Sequence, residues 1–302
     1  MRKRFRSNGN SENLVGWLML APGLILVTIF MIYPSFQSIA LSFFKWNGFT
    51  AWRFNGVENY IEMFTRDRFF YQSFINTVIF QLGATFGTVF VGFVLAAIID
   101  LKVKLWRSYR IIFFLPYVLA QFAVATLWGT IFSPTGLANE ILARIGLESL
   151  QVAWFGIPWV AKVVMIFVAI WQYSSFPMIF FLAGMQNIDE EIYEAAEIDG
   201  ATKLQRITRI TIPLLKNVGS IIIILQLILS FKVFTYVFIM TEGKPANQTH
   251  VLGTLLFRYA FEFQQFGYSS VLSILMIIMA LIFGYVYLKT SGYSEIIRKK
   301  KV

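Results

Sequence analysis

No cysteine occurs in the 302 residues, so disulfides, thiol catalysis and thiolate metal sites are excluded from the start. Histidine is nearly as scarce: His250 is the single one and has no second imidazole to work with. Charged residues make up 14% of the chain, against roughly 25% in a soluble domain. No acid lies deep inside an apolar segment, and Asp100 comes nearest, at the end of one. An arginine ladder for voltage sensing is absent. So is the phosphate loop GxxxxGK[ST], which leaves any ATP hydrolysis to another protein. A membrane serine protease needs a base beside its nucleophile, and His250 falls in a loop instead.

What fills the chain is apolar: 57% of residues are hydrophobic and 18% aromatic. Long apolar segments fall at about 14–33, 74–99, 111–133, 160–184, 218–241 and 269–288. Each has the roughly 20 residues that a bilayer requires. The first follows MRKRFR but is longer than the about 7–15 residues of a cleaved signal. It therefore reads as a span. Backbone groups in lipid must be satisfied within their own segment, so the spans are helices. The fold class is all-α: a polytopic, multi-pass protein of the cell membrane, with lipid as its solvent. Residues 14–288 form the membrane domain, between a tail at 1–13 and a basic tail at 289–302. Six spans place both tails on one side.

The net charge of +10 is a matter of topology rather than of nucleic acid. With the N-terminus inside, 17 of the 26 Lys and Arg residues lie in inner segments and 7 in outer loops. Lys162 and Lys232 fall within spans. That split puts both tails and residues 185–217 in the cytoplasm. Residues 44–73, with a turn at Asn55-Gly56, and residues 134–159, with Trp154, Phe155 and Trp159, then form outer loops too short to be domains.

The chain is organised around 185–217. Asp189 is placed to cap a short helix, with Glu190 and Glu191 in its first turn. Gly200 suits the left-handed residue that ends it. Thr202 caps a second helix, with Leu204, Ile207 and Ile210 on one side and Lys203, Arg206 and Arg209 on the other. Pro213 then opens the next apolar segment, where its missing N–H costs nothing. Ala195, Ala196 and Ala201 keep one surface low enough for a second protein to approach.

Glu194-Ala195-Ala196, with Gly200, Ile210 and Ile212-Pro213 at their intervals, resembles the EAA motif of ABC importer permeases, although Ile212 stands where that family usually has Leu. Tyr33-Pro34, Asn59-Tyr60, Asn76-Thr77, Leu115-Pro116 and Thr241-Glu242-Gly243-Lys244-Pro245 are similar to its sugar branch. The likeness is greatest to the maltose-type subunit that comes first in the permease pair. Lys244 replaces a glycine of that pattern. The resemblance implies a type I importer permease whose coupling helix docks on an ATPase through Glu194, Ala195, Ala196, Asp199, Gly200, Ile210 and Pro213. It also implies a second, homologous permease, an ABC ATPase dimer that uses ATP and Mg, and an extracytoplasmic sugar-binding protein. This chain itself would bind no cofactor or metal.

Polar and aromatic residues inside spans are the candidates for solute contact. Trp171-Gln172-Tyr173-Ser174-Ser175-Phe176-Pro177 interrupts the fourth span, while Gln226 and Ser230 share one face of the fifth. Such residues supply flat faces and hydroxyl-bonding groups for a sugar, or else glue neighbouring helices together. Alignment with the maltose-type pattern assigns solute contact to Gln172, Tyr173, Phe176, Gln226, Leu229, Ser230 and Val233. Lys232 is as well placed to reach the outer surface as to touch solute. Three rival readings stand: a permease for a related solute such as glycerol phosphate, a stand-alone secondary transporter, and a membrane scaffold. The second is disfavoured because intramembrane acids and broken helices are both missing from six plain spans.

Overall fold

The computed structural model describes residues 9–101 and 105–290. Most of the tails expected at 289–302 and 1–13 lies outside them, as does the side chain of Lys232. The chain divides into two compact units, residues up to 67 with 256–275, and 68–255 with 276 onward.

In the first unit, α1 (Gly9–Val27) and α2 (Tyr33–Leu41) are joined by one π-helical turn into an apolar helix long enough to cross a membrane. A two-stranded hairpin follows, β1 (Phe44–Lys45) against β2 (Arg53–Phe54), then α3 (Glu58–Thr65). Asn59 ties α3 to the hairpin, its Nδ2 donating to the carbonyls of Ser42 at 2.8 Å and Phe44 at 3.0 Å.

The second unit is built on α4 (Phe70–Asp100), a 31-residue apolar helix. Against it packs α5 (Trp106–Val118), followed by α6 (Gln121–Ile131) and by α7 (Leu137–Arg144), which lies between α6 and the next span. Then come α8 (Pro158–Tyr173) and α9 (Ser175–Gln186), α10 (Glu190–Ile198), and an arm made of α11 (Lys203–Arg206), a π turn and α12 (Ile212–Leu214). Beyond it lie α13 (Lys216–Leu229), a 3-10 turn at Ser230–Val233 and α14 (Phe234–Met240). Finally α15 (Leu252–Phe257) and α16 (Phe266–Thr290) each contribute to both units. One apolar core gathers Phe80, Met165 and Tyr236; a second gathers Ile99, Met178 and Ile222.

Three described helices are long enough to span, and up to six if bent pairs are each one span. The number agrees with the sequence reading, but the plainness of the spans does not. The third is broken, α5 and α6 meeting at 96°; the fourth bends by 44° between α8 and α9; α13 leaves the arm before it at 69°. At the second, Pro177 has no N–H for the carbonyl of Tyr173, four residues earlier. At the first, the helix continues past Pro116 to Val118 before Leu119 and Ala120 run extended. The expectation of unbroken helices is thus overturned, and with it that argument against a secondary transporter. Pro213 also differs from expectation: it lies inside the arm, and the apolar helix opens three residues later at Lys216. With Lys203, Arg206 and Arg209, the arm suits an interface better than a bilayer core, so the fifth span reads as 216–240.

Broken helices in lipid leave carbonyls that need donors. Side chains supply them. Gln172 Nε2 donates to Leu119 O at 2.9 Å, and Ser175 Oγ to Phe113 O at 2.5 Å. Ser174 Oγ adds a second bond to Ile170 O, which already accepts Ser174 N at 3.0 Å. Leu227 O, just before the 3-10 turn, accepts from Ser230 Oγ at 2.8 Å and Gln81 Nε2 at 3.2 Å. At the α8–α9 bend α4 comes so close that a Cβ on Gly92 would meet Pro177 Cβ at 2.5 Å and Ser174 O at 2.7 Å.

Candidate functional site: the 185–217 segment and an intramembrane cavity

Residues 187–215 form the bend that the sequence suggests. Asp189 sits at the N-cap of α10 without a side-chain bond to it, so the expected cap is positional only. The far end is a Schellman closure: Ala201 N donates to Ala196 O at 2.9 Å and Gly200 N to Glu197 O at 3.0 Å, with Gly200 at φ +77°. Thr202 opens α11 through a reciprocal capping box with Gln205. Tyr193 Oη and Thr211 Oγ1, 2.9 Å apart, tie α10 to the arm, and Arg206 reaches Glu197 at 3.2 Å. Glu194, Ala195, Asp199 and Pro213 are exposed, whereas Ala196 and Ile210 are half-buried. Leu204 departs from its expected side: it is 70% exposed, and Ile198 is 87% exposed. Apolar side chains bared beside charged ones suit contact with a protein.

The predicted solute residues do not stay together. Tyr173, Gln226, Leu229, Ser230 and Val233 line one cavity of about 20 Å³, with Tyr236 and with Ala84, Thr85, Thr88 and Ala169 of α4 and α8. That is room for about one water. Gln172 is not on its wall. It is 1% exposed, with its amide committed to Leu119 O and its Oε1 accepting the Tyr236 hydroxyl at 2.5 Å. Phe176 is also off the wall, its ring stacked on Tyr117 at 6.0 Å. Thr85 and Thr88 were missed by sequence reasoning. The available signal was the spacing of Gln81, Thr85 and Thr88 along one face of α4. His250, the lone imidazole, is buried with its Nδ1 3.0 Å from Thr254 Oγ1.

A larger groove of about 820 Å³ lies in the first unit, lined by Lys45, Trp46, Arg53 and Gln265 among others, and by none of the predicted site residues.

The family model of the binding-protein-dependent transport system inner membrane component matches residues 88–291. The chain belongs to that family. This permease is 34% identical over 284 residues to the probable ABC transporter permease protein YurN of Bacillus subtilis, covering 93% of this chain and 97% of that protein. It is also 34% identical over 274 residues to the lactose transport system permease protein LacF of Rhizobium radiobacter, covering 89% and 91%. Among solved structures it resembles a chain of a bacterial ABC transporter involved in the import of the acidic polysaccharide alginate. There the TM-score is 0.80 at 25% identity, covering 94% of this permease and 96% of that chain. The permease is therefore an integral membrane subunit of an ABC importer, with the type I fold. It is a transport component rather than an enzyme, and ATP is hydrolysed in a separate subunit.

Proposed function

We propose that this permease carries a sugar through the membrane by alternating access, bound in the cavity between α4, α8, α13 and α14. The observation that supports this most is the cavity wall: Tyr173, Gln226 and Ser230 meet there, at the point where α13 gives way to a 3-10 turn. Aromatic faces beside amides and hydroxyls are what sugar hydroxyls and ring faces require. The lactose-system relative points the same way. Tyr173, Gln226, Leu229, Ser230 and Val233 contact the solute, while Gln172 and Phe176 act behind the wall.

In the same reading residues 185–217 face the cytoplasm with both termini. Glu194, Ala195, Ala196, Asp199, Gly200, Ile210 and Pro213 present the coupling surface to one subunit of an ATPase dimer using ATP and Mg. A second, homologous permease completes the path, and an extracytoplasmic binding protein delivers the sugar. ATP-driven closure of the ATPases draws the coupling segments together and opens the cavity outward. Two measurements test this. A cysteine at Gly200 should resist an impermeant thiol reagent added outside intact cells, while one at Gly146 should label; the reverse pattern overturns the orientation. Proteoliposomes holding the whole complex should accumulate a sugar only with ATP inside and binding protein outside. Uptake without either would restore the secondary-transporter reading.

A further inference from the structure

Two polar atoms on the cavity wall are buried and have no hydrogen-bond partner: Thr85 Oγ1 on α4 and Gln226 Nε2 on α13. Thr85 is 1% exposed and Gln226 4%. Neither atom holds the helices together, although neighbours on the same faces do. Gln81, one turn from Thr85, donates to Leu227 O; Thr88 donates to Thr85 O at 2.9 Å; Ser230 donates to Leu227 O. An amide N–H and a hydroxyl left unpaired in a bilayer are unfavourable, and such groups persist where something else satisfies them for part of the time. The wall also carries no charge. Its ten residues include no Asp, Glu, Lys, Arg or His. A carboxylate or phosphate entering it would lose its hydration with no counter-ion in return.

We infer that the solute of this site is an uncharged saccharide, and that Thr85, from the second span, joins Gln226 in bonding its hydroxyls. This rests on the proposed sugar function and narrows it. Gln226 Nε2 donates to a hydroxyl oxygen, and Thr85 Oγ1 accepts from a hydroxyl or donates to one. Together they bond the solute from α4 and α13. The cavity holds about 20 Å³ as described, so both walls must part before a sugar ring enters. Anionic solutes such as sugar phosphates, uronates and glycerol phosphate are excluded by the same wall. The relative that handles an acidic polysaccharide would differ here.

The test uses the complete complex with its binding protein in proteoliposomes. Its probes are labelled lactose, maltose, trehalose and raffinose, set against glucuronate, glucose 6-phosphate and glycerol 3-phosphate. Wild type should take up one or more of the first group and none of the second. Thr85→Val and Gln226→Leu should each lower uptake at limiting solute about three- to tenfold, the range for one lost hydrogen bond. Thr85→Ser, which keeps the hydroxyl, should restore it. Thr85→Val should also melt no lower than wild type, because it removes an unpaired buried hydroxyl without removing a contact. Uptake of a charged probe overturns the inference while leaving the permease reading intact. So does wild-type uptake by both Thr85→Val and Gln226→Leu, or failure of Thr85→Ser to rescue a slow Thr85→Val. Uptake of no saccharide at all would sink the sugar reading beneath it.

Discussion

Replacing Gln172 by leucine separates a structural amide from a solute contact. The change keeps volume but deletes two bonds, the donation to Leu119 O at 2.9 Å and the acceptance from Tyr236 at 2.5 Å. Interhelical hydrogen bonds within bilayers average about 0.6 kcal/mol and reach about 1.7. Two of them set the expected loss at about 1–3 kcal/mol. Part of that comes from the Leu119 carbonyl, stranded at a 96° break where no helical N–H replaces the donor. Tyr236→Phe should cost about half as much. The double variant should cost less than the sum, because the two single changes delete the same Gln172–Tyr236 bond. Equilibrium unfolding of the purified complex in bicelles measures all three. Uptake by the surviving folded fraction of Gln172→Leu should keep the solute dependence of wild type, whereas Gln226→Leu should change that dependence. Undiminished stability of Gln172→Leu, together with altered solute dependence, would refute this division and return Gln172 to the binding site.

Gly92→Ala forces a methyl carbon against Pro177 and the Ser174 carbonyl, and should destabilise by about 1–3 kcal/mol in the same assay. Stability equal to wild type would show that α4 and the α8–α9 bend separate freely. A Cβ at Gly200 meets no atom within 4 Å, so the cost of Gly200→Val is chiefly backbone strain, on the order of 1–2 kcal/mol at φ +77°. It should abolish solute-stimulated ATP hydrolysis, while Gly200→Asn, tolerant of that φ, should retain most of it. Equal activity in the two variants would remove the bend from the coupling argument.

How much was legible in the sequence depended on whether a residue's role was local. Gly200 and Thr202 announce themselves, since a left-handed cap and a capping box are settled within four residues. Asp189 shows the limit: the residue type was right, yet no side-chain bond forms. The break at Leu119-Ala120 was hidden because both residues read as ordinary span. Only Pro116 hinted at it, and the donor that satisfies the break is 53 residues away at Gln172. For the same reason Gln172 looked like a solute contact: a buried amide in an aromatic run has the same sequence appearance whether it faces a cavity or a carbonyl. Thr85 and Thr88 were passed over because hydroxyls in a 31-residue apolar helix read as interhelical glue. Their place on a wall follows from which face α4 turns to α8 and α13.

The smallness of the cavity has a consequence for the cell rather than for the solute. A membrane at 100 mV drives each monovalent ion with about 2.3 kcal/mol. A passage kept wide enough for a sugar would be wide enough for hydrated protons and sodium, and would discharge that potential between transport events. Space for roughly one water between Tyr173, Gln226 and Tyr236 is too little for a wet column at that point. The same tightness that delays a sugar lets an energised membrane hold its voltage while the importer stands idle.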